Sequence, residues 1–287
     1  MQTRPTTTPR KDLTLDVPGG RRLAYAEWGD PEGRPVLFLH RSPGSRLFDP
    51  DPDATRDVRL ITVDRPGYGG TDPVIEPSFS AVAEDLSILV ESLDLTDIAL
   101  IGWSGGGQFA LAAVPALDAR LGSLTLICTP APDDEIPWFP DETRPMLPAM
   151  RADPAGSLPM VAKGFGPLMA DPYGVAVIDP SPADADIRLL PGVTDALTAM
   201  MREAGRQGAA GVAFDVVAGG RGDSLPVDAV HIPTQLWYGA GDQYIGVEHG
   251  RWYAERIPGS RLEIVEGAGH LLPFLRWHDV LADVKSL

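Results

Sequence analysis

No part of this sequence constrains the fold more than residues 102–106, whose sequence is GWSGG. They overlap the end of a mainly apolar run at 97–103 that is typical of a buried strand. They also overlap the start of an Ala- and Leu-rich stretch at 105–121 that is typical of a helix. Glycines two residues before and two residues after Ser104 carry no Cβ atom that could collide with neighbouring backbone in a sharp turn. The segment therefore predicts a strand, a strained turn that exposes the Ser104 hydroxyl, and a helix whose N-terminus favours negative charge.

Strand-like and helix-like segments alternate through most of the chain. Period-two alternation on both sides of a Gly pair predicts a β-hairpin at 13–17 and 22–26. Short apolar runs predict further strands at 35–40, 58–64, 121–129, 234–238 and 261–265. Apolar residues at helical spacing predict helices at 79–93, 247–257 and 271–284. Strands that alternate with helices form βαβ units, so the sequence predicts an α/β fold with a mostly parallel sheet.

Residues 131–230 break this alternation. The segment is rich in Pro, Gly and Met, has helix-length stretches such as 193–204, and lacks strong strand patterns. We predict an α/β core at 11–130 and 231–287 that carries a helical cap at 131–230. Methionine fills irregular apolar gaps, so the methionines of the segment could form its own core or the wall of a substrate pocket.

Charge and hydropathy exclude several kinds of partner. The chain has 24 Lys and Arg against 40 Asp and Glu, a net charge of −16, and this charge repels phosphate backbones and anionic lipid. We therefore expect a small-molecule substrate and no nucleic acid or membrane partner, and a homodimer is left open. The N-terminus lacks the apolar segment of a signal peptide and no apolar run reaches membrane-spanning length, so we predict a soluble cytoplasmic protein.

Metal and thiol chemistry are not indicated. The single cysteine, Cys128, lies in the apolar run 124–128, which predicts a buried structural thiol and excludes an internal disulfide. The five histidines are scattered and form no HExxH pattern, so we predict no metal site.

Two later strands are followed by residues that could activate a serine. Asp242 follows the strand at 234–238, and His270 follows the strand at 261–265. Ser104, Asp242 and His270 thus lie at the C-terminal ends of strands, the edge where open α/β sheets form their sites. An imidazole can take the proton of a serine hydroxyl near neutral pH, and a carboxylate can orient the ring. The three residues predict a nucleophile, an acid and a base.

Two Gly- and Pro-containing loops follow earlier strands. The first, HRSPGS at 40–45, could direct a backbone N–H at the reaction centre, with His40 either a base or a brace for the loop. The second, DRPGYGGTD at 64–72, predicts a tight scaffold loop in which Asp64 and Asp72 have no direct catalytic role.

Taken in order, these motifs resemble those of α/β-hydrolases of the capped, lipase-like and proline-iminopeptidase-like type. The set H-x-x-P-G, D-R-P-G-Y-G-x-T-D, G-x-S-x-G, G-x-x-D and G-x-G-H spans about residues 13–130 and 231–287. The resemblance implies an α/β-hydrolase fold with a catalytic triad of Ser104, His270 and Asp242 and with no cofactor. It also implies an oxyanion hole made by the backbone N–H groups of Ser42 and Gly105.

Arg41 departs from this pattern, because relatives usually have glycine after the histidine of the first loop. Either the backbone tolerates Arg41 at the surface, or its side chain reaches into the pocket or pairs with an acid such as Asp242. Arg41 is therefore a candidate substrate contact. Three apolar residues are further candidates: Trp103, Trp138 and Met169.

The sequence predicts a serine hydrolase that cleaves an ester, lactone or thioester of a small to mid-sized hydrophobic substrate through an acyl-serine. Two alternatives stay open. An aminopeptidase of the iminopeptidase type could use the acidic excess of residues 131–230, fifteen acids against seven bases, to hold a substrate ammonium. A repurposed member of the fold could instead act as a lyase, a cyclase or a ligand-binding receptor, since a receptor can keep an intact triad.

Overall fold

The computed structural model describes residues 5–171, 173–174 and 181–286, and these residues contain one sheet of eight strands. In chain order the strands are β1 (Lys11–Val17), β2 (Arg21–Gly29), β3 (Arg34–Leu39), β4 (Val58–Val63), β5 (Ile98–Trp103), β6 (Leu121–Ile127), β7 (Thr234–Gly239) and β8 (Arg261–Val265). The order across the sheet is β1-β2-β4-β3-β5-β6-β7-β8.

The first two strands form the predicted hairpin, with Leu15 opposite Leu23, and β2 also runs antiparallel to β4. All other neighbouring strands are parallel. The predicted α/β fold with a mostly parallel sheet is confirmed. Because β3 to β8 are parallel, their C-terminal ends meet at one edge of the sheet, where the loops with candidate site residues begin.

Helices lie between the strands. Within the described residues they are α1 (Pro52–Thr55), α2 (Phe79–Ser92), α3 (Gly105–Leu117), α4 (Leu147–Ala152), α5 (Pro154–Met169), α6 (Ala185–Arg188), α7 (Val193–Ala204), α8 (Ala210–Gly220), α9 (Val247–Arg256) and α10 (Leu272–Ser286). The helix predicted at 105–121 ends earlier, at Leu117, because a 3₁₀ turn at Asp118–Arg120 leads into β6. None of these helices is long and apolar enough to cross a membrane.

The two faces of the sheet bury separate apolar layers. Successive side chains of a strand point to opposite faces, and in β3 the side chains of Leu37 and Leu39 pack with α2 and α3, whereas Val36 and Phe38 pack with α1 and α10. The strand is fully apolar in its second half because both of its faces are covered.

The segment 131–230, here called the inserted segment, lies between β6 and β7 and is helical in its described part. Met150, Val161 and Val217 belong to a small apolar core of its own. Met200 and Met201 pack instead into the layer that lies on the face of the sheet with α10. The inserted segment is thus attached to the sheet by buried side chains, and its exact limits stay a prediction.

Candidate active site

Ser104 occupies a strained turn between β5 and α3. Its φ angle is +57°, in a region of backbone conformation that residues other than glycine rarely adopt. A Cβ atom on Gly102 would lie 2.4 Å from the Cα atom of Gly107, and one on Gly106 would lie 2.4 Å from the carbonyl oxygen of His40. Both glycines are therefore required for the turn, which directs the serine hydroxyl away from the sheet edge.

A hydrogen-bonded chain joins three of the predicted side chains. His270 Nε2 lies 2.9 Å from Ser104 Oγ, and His270 Nδ1 lies 2.8 Å from Asp242 Oδ2. All three residues are buried: Ser104 is 7% exposed, His270 2% and Asp242 7%. An imidazole in this position can accept the serine proton at Nε2 while its Nδ1–H donates to the carboxylate.

His270 and, after it, two backbone N–H groups stabilise the charged form of the Asp242 carboxylate. Burial by itself would raise the pKa of Asp242. The attraction of His270, its hydrogen bond, and the N–H groups of Ile245 and Tyr244 outweigh burial, so the pKa of Asp242 lies below its ordinary value. Asp242 Oδ1 accepts from Tyr244 N at 2.8 Å and from Ile245 N at 3.0 Å. The second carboxylate oxygen remains for His270.

A carboxylate from the inserted segment holds the loop that carries His270. Asp184 Oδ1 accepts from Gly269 N at 3.0 Å, and Asp184 Oδ2 accepts from Leu271 N at 3.1 Å. The carboxylate thus binds the backbone on both sides of His270, and Asp184 is fully buried. The sequence does not reveal this role, because no local motif distinguishes Asp184 from the other acids of the inserted segment.

A cavity with a largely apolar wall opens over Ser104 and His270. Arg41, Ser42 and Gly105 line it from the side of the sheet. The inserted segment contributes mainly apolar side chains to the opposite wall: Trp138, Phe139, Phe165, Leu168, Val212 and Val216. Ser104 thus shares one cavity with a mainly apolar surface.

Two of the four residues that the sequence predicts as substrate contacts line this cavity. Arg41 and Trp138 line it, whereas the described lining does not include Trp103 or Met169. Trp103 is fully buried because it points to the face of the sheet that packs against Phe274 of α10. Met169, at the end of α5, is 5% exposed and packs into the same apolar layer. The assignment of Trp103 and Met169 as substrate contacts is therefore corrected to a packing role.

The two predicted oxyanion-hole residues are neighbours. Gly105 is the first residue of α3, so its N–H has no acceptor within the helix. A Cβ atom on Gly105 would lie 2.6 Å from Ser42 Oγ, which shows how closely the loop after β3 approaches the start of α3. The backbone nitrogen of Ser42 lies 4.0 Å from the same point, so the two residues are close together, and their role as an oxyanion hole stays a prediction.

Comparison with known proteins agrees with this architecture. A model of the alpha/beta hydrolase fold family matches residues 34–276. The chain belongs to the α/β-hydrolase family.

Two relatives match most of this α/β-hydrolase. The pimeloyl-[acyl-carrier protein] methyl ester esterase of Aromatoleum aromaticum is 31% identical over 222 residues, which cover 76% of this chain and 82% of that protein. The non-heme chloroperoxidase CPO-A1 of Kitasatospora aureofaciens is 28% identical over 263 residues, covering 88% and 89%. The crystal structure of a bromoperoxidase from Bacillus anthracis superposes with a TM-score of 0.74 at 18% identity, covering 96% of this chain and all of that one. With such relatives, the chain is an enzyme of this fold class.

A second carboxylate of the inserted segment, that of Asp215 in α8, contacts the loop at 40–45, which follows β3. Arg65 Nε donates to Asp215 Oδ1 at 3.0 Å, and Arg65 Nη2 donates to Ser42 Oγ at 2.9 Å. The hydroxyls of Ser42 and Tyr68 both donate to Asp215 Oδ2. Burial alone would lower the pKa of Arg65, but the charge and hydrogen bonds of Asp215, together with the contribution of Tyr68, outweigh burial, so the pKa lies above its ordinary value. The buried contact between Arg65 and Asp215 thus holds the Ser42 side chain, and it joins the loop at 64–72 to the loop at 40–45.

His40 has the contacts of a brace. Its Nδ1 lies 2.7 Å from the carbonyl oxygen of Arg41, and its Nε2 accepts from Arg65 N at 3.4 Å. Burial, and then the charge of Arg65, hold the pKa of His40 well below its ordinary value. The ring is therefore neutral, and both of its nitrogens contact backbone groups of the two loops.

Among the described residues, one group of three side chains could hold a metal ion, with ligand atoms within 4.8 Å of one another: Cys128, Asp242 and His270. Burial, and then the charge of Asp242, raise the pKa of Cys128 well above its ordinary value. Asp242 and His270 already bond to each other. The geometry fits the hydrogen-bonded chain better than an ion.

Proposed function

We propose that this α/β-hydrolase cleaves carboxylic esters, including lactones or thioesters, through an acyl-serine intermediate. The observation that carries the proposal is the position of His270, whose two ring nitrogens lie within hydrogen-bond distance of Ser104 and Asp242 at the base of the cavity. The pairing of nucleophile, base and orienting acid is the arrangement that acyl transfer requires.

In the first half of the reaction, Ser104 Oγ attacks the acyl carbon while its proton passes to His270 Nε2. Asp242 stabilises the imidazolium that forms. The carbonyl oxygen becomes an oxyanion and accepts hydrogen bonds from the N–H groups of Ser42 and Gly105, each worth about 3 kcal/mol by analogy with other acyl-transfer enzymes. His270 then gives its proton to the leaving alcohol as the carbon–oxygen bond breaks.

In the second half, water attacks the acyl-serine. His270 takes a proton from the water, and the same two N–H groups stabilise the second oxyanion. The carboxylic acid leaves, and Ser104 regains its proton. No residue needs to change its position between the two halves.

The walls of the cavity favour a substrate with an apolar body. Aromatic side chains such as Trp138 and Phe165 offer surface to an acyl chain or an alcohol group. An iminopeptidase would need a carboxylate available for the substrate ammonium. Among the described lining residues the carboxylate is that of Asp215, which already accepts from Arg65, Ser42 and Tyr68. This pairing and the esterase relative from Aromatoleum aromaticum support ester cleavage over amine recognition.

A second reaction fits the same site. The relative from Kitasatospora aureofaciens is named a non-heme chloroperoxidase and matches this chain over most of its length. Hydrogen peroxide that attacks the acyl-serine in place of water would release a peracid and the free serine, and the peracid would oxidise chloride or bromide in solution. This activity would need peroxide, a carboxylic acid and Ser104. A peroxide-dependent bromide oxidation that survives Ser104→Ala would contradict it.

The nucleophile is tested by covalent labelling. A fluorophosphonate probe should add to Ser104, identified by peptide mass spectrometry, and should compete with turnover of 4-nitrophenyl butyrate. Ser104→Ala should lose both labelling and turnover, whereas the control Ser87→Ala, on α2 outside the cavity lining, should keep both. Labelling at another residue, or turnover that persists in folded Ser104→Ala, would refute the assignment. Tight binding of esters with no turnover would favour the receptor alternative.

A further inference from the structure

Arg41 stands out among the charged residues near the serine because it has no charged partner. It lines the same cavity as Ser104 and His270. Within the described part of the chain its guanidinium forms no ion pair, and its Nε–H is buried without a hydrogen-bond partner. The alternative that Arg41 pairs with Asp242 is wrong, because Asp242 is bonded to His270 and to backbone N–H groups.

The unpaired state of Arg41 contrasts with its surroundings. A charge that is partly withdrawn from water is costly unless an opposite charge or hydrogen bonds compensate it. The nearby Arg65 meets this condition through Asp215. The chain has 40 acidic residues against 24 basic ones, so acids for a second pair are abundant, yet none of the described ones forms an ion pair with Arg41.

The guanidinium is nevertheless held in place. Its central carbon lies 5.3 Å from the ring centre of Trp103, a cation–π contact. Trp103 is itself fixed, because its Nε1–H donates to the carbonyl oxygen of His270 at 3.0 Å and its ring packs against Phe48 and Phe274. A cation that is oriented in advance needs little reordering to bind an anion, which favours affinity.

The charge of the cavity is therefore unbalanced. Asp215, the acid in the described lining, is neutralised by Arg65, and the remaining wall is mainly apolar. We propose that Arg41 binds a carboxylate of the substrate, so that the preferred ester is a monoanion such as the half-ester of a dicarboxylic acid. This inference rests on the proposed ester hydrolysis and specifies its substrate class.

A carboxylate fits better than a phosphate. The planar guanidinium offers parallel N–H groups that match the two oxygens of a carboxylate. A phosphate monoester carries nearly two negative charges near neutral pH and would need a second cation. Among the described lining residues Arg41 is the permanent cation. Arg65 is not part of the lining, because it donates to Ser42 and pairs with Asp215.

The test compares each anionic ester with a neutral ester in which a methyl group or a hydrogen replaces the carboxylate. One pair places the carboxylate on the acyl side, 4-nitrophenyl hydrogen glutarate against 4-nitrophenyl valerate. The other places it on the alcohol side, 4-carboxyphenyl butyrate against phenyl butyrate. In at least one pair we expect the anionic-to-neutral ratio of kcat/KM to fall about 10- to 100-fold in Arg41→Met, as for loss of a charged hydrogen bond. The pair that responds tells which side of the ester carries the anion.

Two further variants separate a specific contact from general charge. Arg41→Lys keeps the charge but loses the fork of donors, so its ratio should lie between those of wild type and Arg41→Met. Arg56→Met removes an equal charge from a side chain that is 71% exposed, and it should leave the ratio unchanged. Equal ratios in wild type and Arg41→Met for both pairs would overturn the inference, as would an equal loss in Arg56→Met. If Arg41→Met does not fold, Arg41→Lys decides by the same ratio.

A binding measurement keeps this inference separate from the proposed function. Ser104→Ala can be titrated calorimetrically with monomethyl glutarate and with dimethyl glutarate. The monoanion should bind about 10-fold tighter or more, and Arg41→Met in the same background should remove the difference. Turnover of the neutral esters without any anion preference would refute the role of Arg41 alone. Absence of turnover for every ester would refute the proposed hydrolysis, and the titration would still decide whether Arg41 binds a carboxylate.

Discussion

The two sides of the active site are built in different ways. On the side of the sheet, the position of Ser104 follows from the junction of β5 and α3, where the backbone angles and two glycines define the turn. On the side of the inserted segment, the described helices supply apolar wall and two buried carboxylates, Asp184 and Asp215. The sheet positions Ser104 through the backbone of its own turn. The inserted segment instead positions residues that lie far away in the sequence, through the carboxylates of Asp184 and Asp215.

The difference shows what the inserted segment does besides covering the cavity. Asp184 binds the backbone next to His270, and Asp215 binds the side chains of Ser42 and Arg65. The loops that carry His270 and Ser42 are therefore held from outside the sheet, whereas Ser104 is not. Changes in the inserted segment should thus affect catalysis even where they do not touch substrate.

The largest effect is expected on the side of the sheet. Asp242→Asn should lower kcat by about 10⁴-fold, because the amide no longer selects the ring tautomer that accepts the serine proton; a comparable change in the serine-protease triad has this size. Stopped-flow turnover of 4-nitrophenyl butyrate measures it. Asp141→Asn, in the inserted segment with a fully exposed side chain, is the control.

A nearly silent Asp242→Asn would mean that another acid orients His270. Asp133 and Asp134, which follow β6 in the chain, would then be the next candidates. In the structure Asp133 accepts from Trp138 N at 2.7 Å and from Phe139 N at 2.9 Å, so its carboxylate is used to organise the inserted segment.

An intermediate effect is expected where the two sides meet. Asp215→Ala leaves Arg65 buried without its partner, so the free energy of unfolding should fall by about 3–5 kcal/mol. The acylation rate should fall by about 100-fold, since Ser42 loses the group that holds it and small misplacements are costly. Urea denaturation and single-turnover kinetics measure the two effects.

The double variant Arg65→Met with Asp215→Leu separates stability from positioning. Apolar residues in place of a buried ion pair often restore stability, but they cannot hold the hydroxyl of Ser42. We expect unfolding free energy to recover while acylation stays slow, with kcat reduced more than KM is raised. If acylation recovers together with stability, Asp215 has only a structural role, and the inserted segment does not position Ser42.

The smallest effect on rate is expected within the inserted segment, from two residues of α5. Phe165 lines the cavity, whereas Met169, one turn later, packs into the core. Phe165→Ala should change the ratio of kcat/KM for 4-nitrophenyl octanoate over acetate by about 10-fold, as expected for the loss of one aromatic contact. Met169→Ala should leave that ratio within a few-fold and lower the unfolding free energy by about 2–5 kcal/mol.

These two variants form a matched pair, because they lie on one helix and both remove a large apolar side chain. A ratio that changes equally in both would mean that the wall acts only through the packing of α5. A change confined to Met169→Ala would restore that residue as a substrate contact.

The sequence by itself determined the parts of this α/β-hydrolase that depend on local chain properties. Apolar runs and their periods predicted the alternating strands and helices, since burial on one or both faces imposes those periods. Glycines around Ser104 predicted the turn, because any Cβ atom there meets backbone. Asp242 and His270 could be named because parallel strands end at one edge, so residues that follow them meet.

Only the tertiary structure decided the contacts that join distant segments. Nothing in the local sequence of Asp184 or Asp215 distinguishes them from the other acids of residues 131–230, and their partners lie 85 and 150 residues away. The same holds for Trp103 and Met169, since the sequence shows that a side chain is apolar but not whether it faces a cavity or a core. Arg41 became informative in the same way: its departure from the family pattern is visible in the sequence, but a missing partner is a property of everything that packs around it.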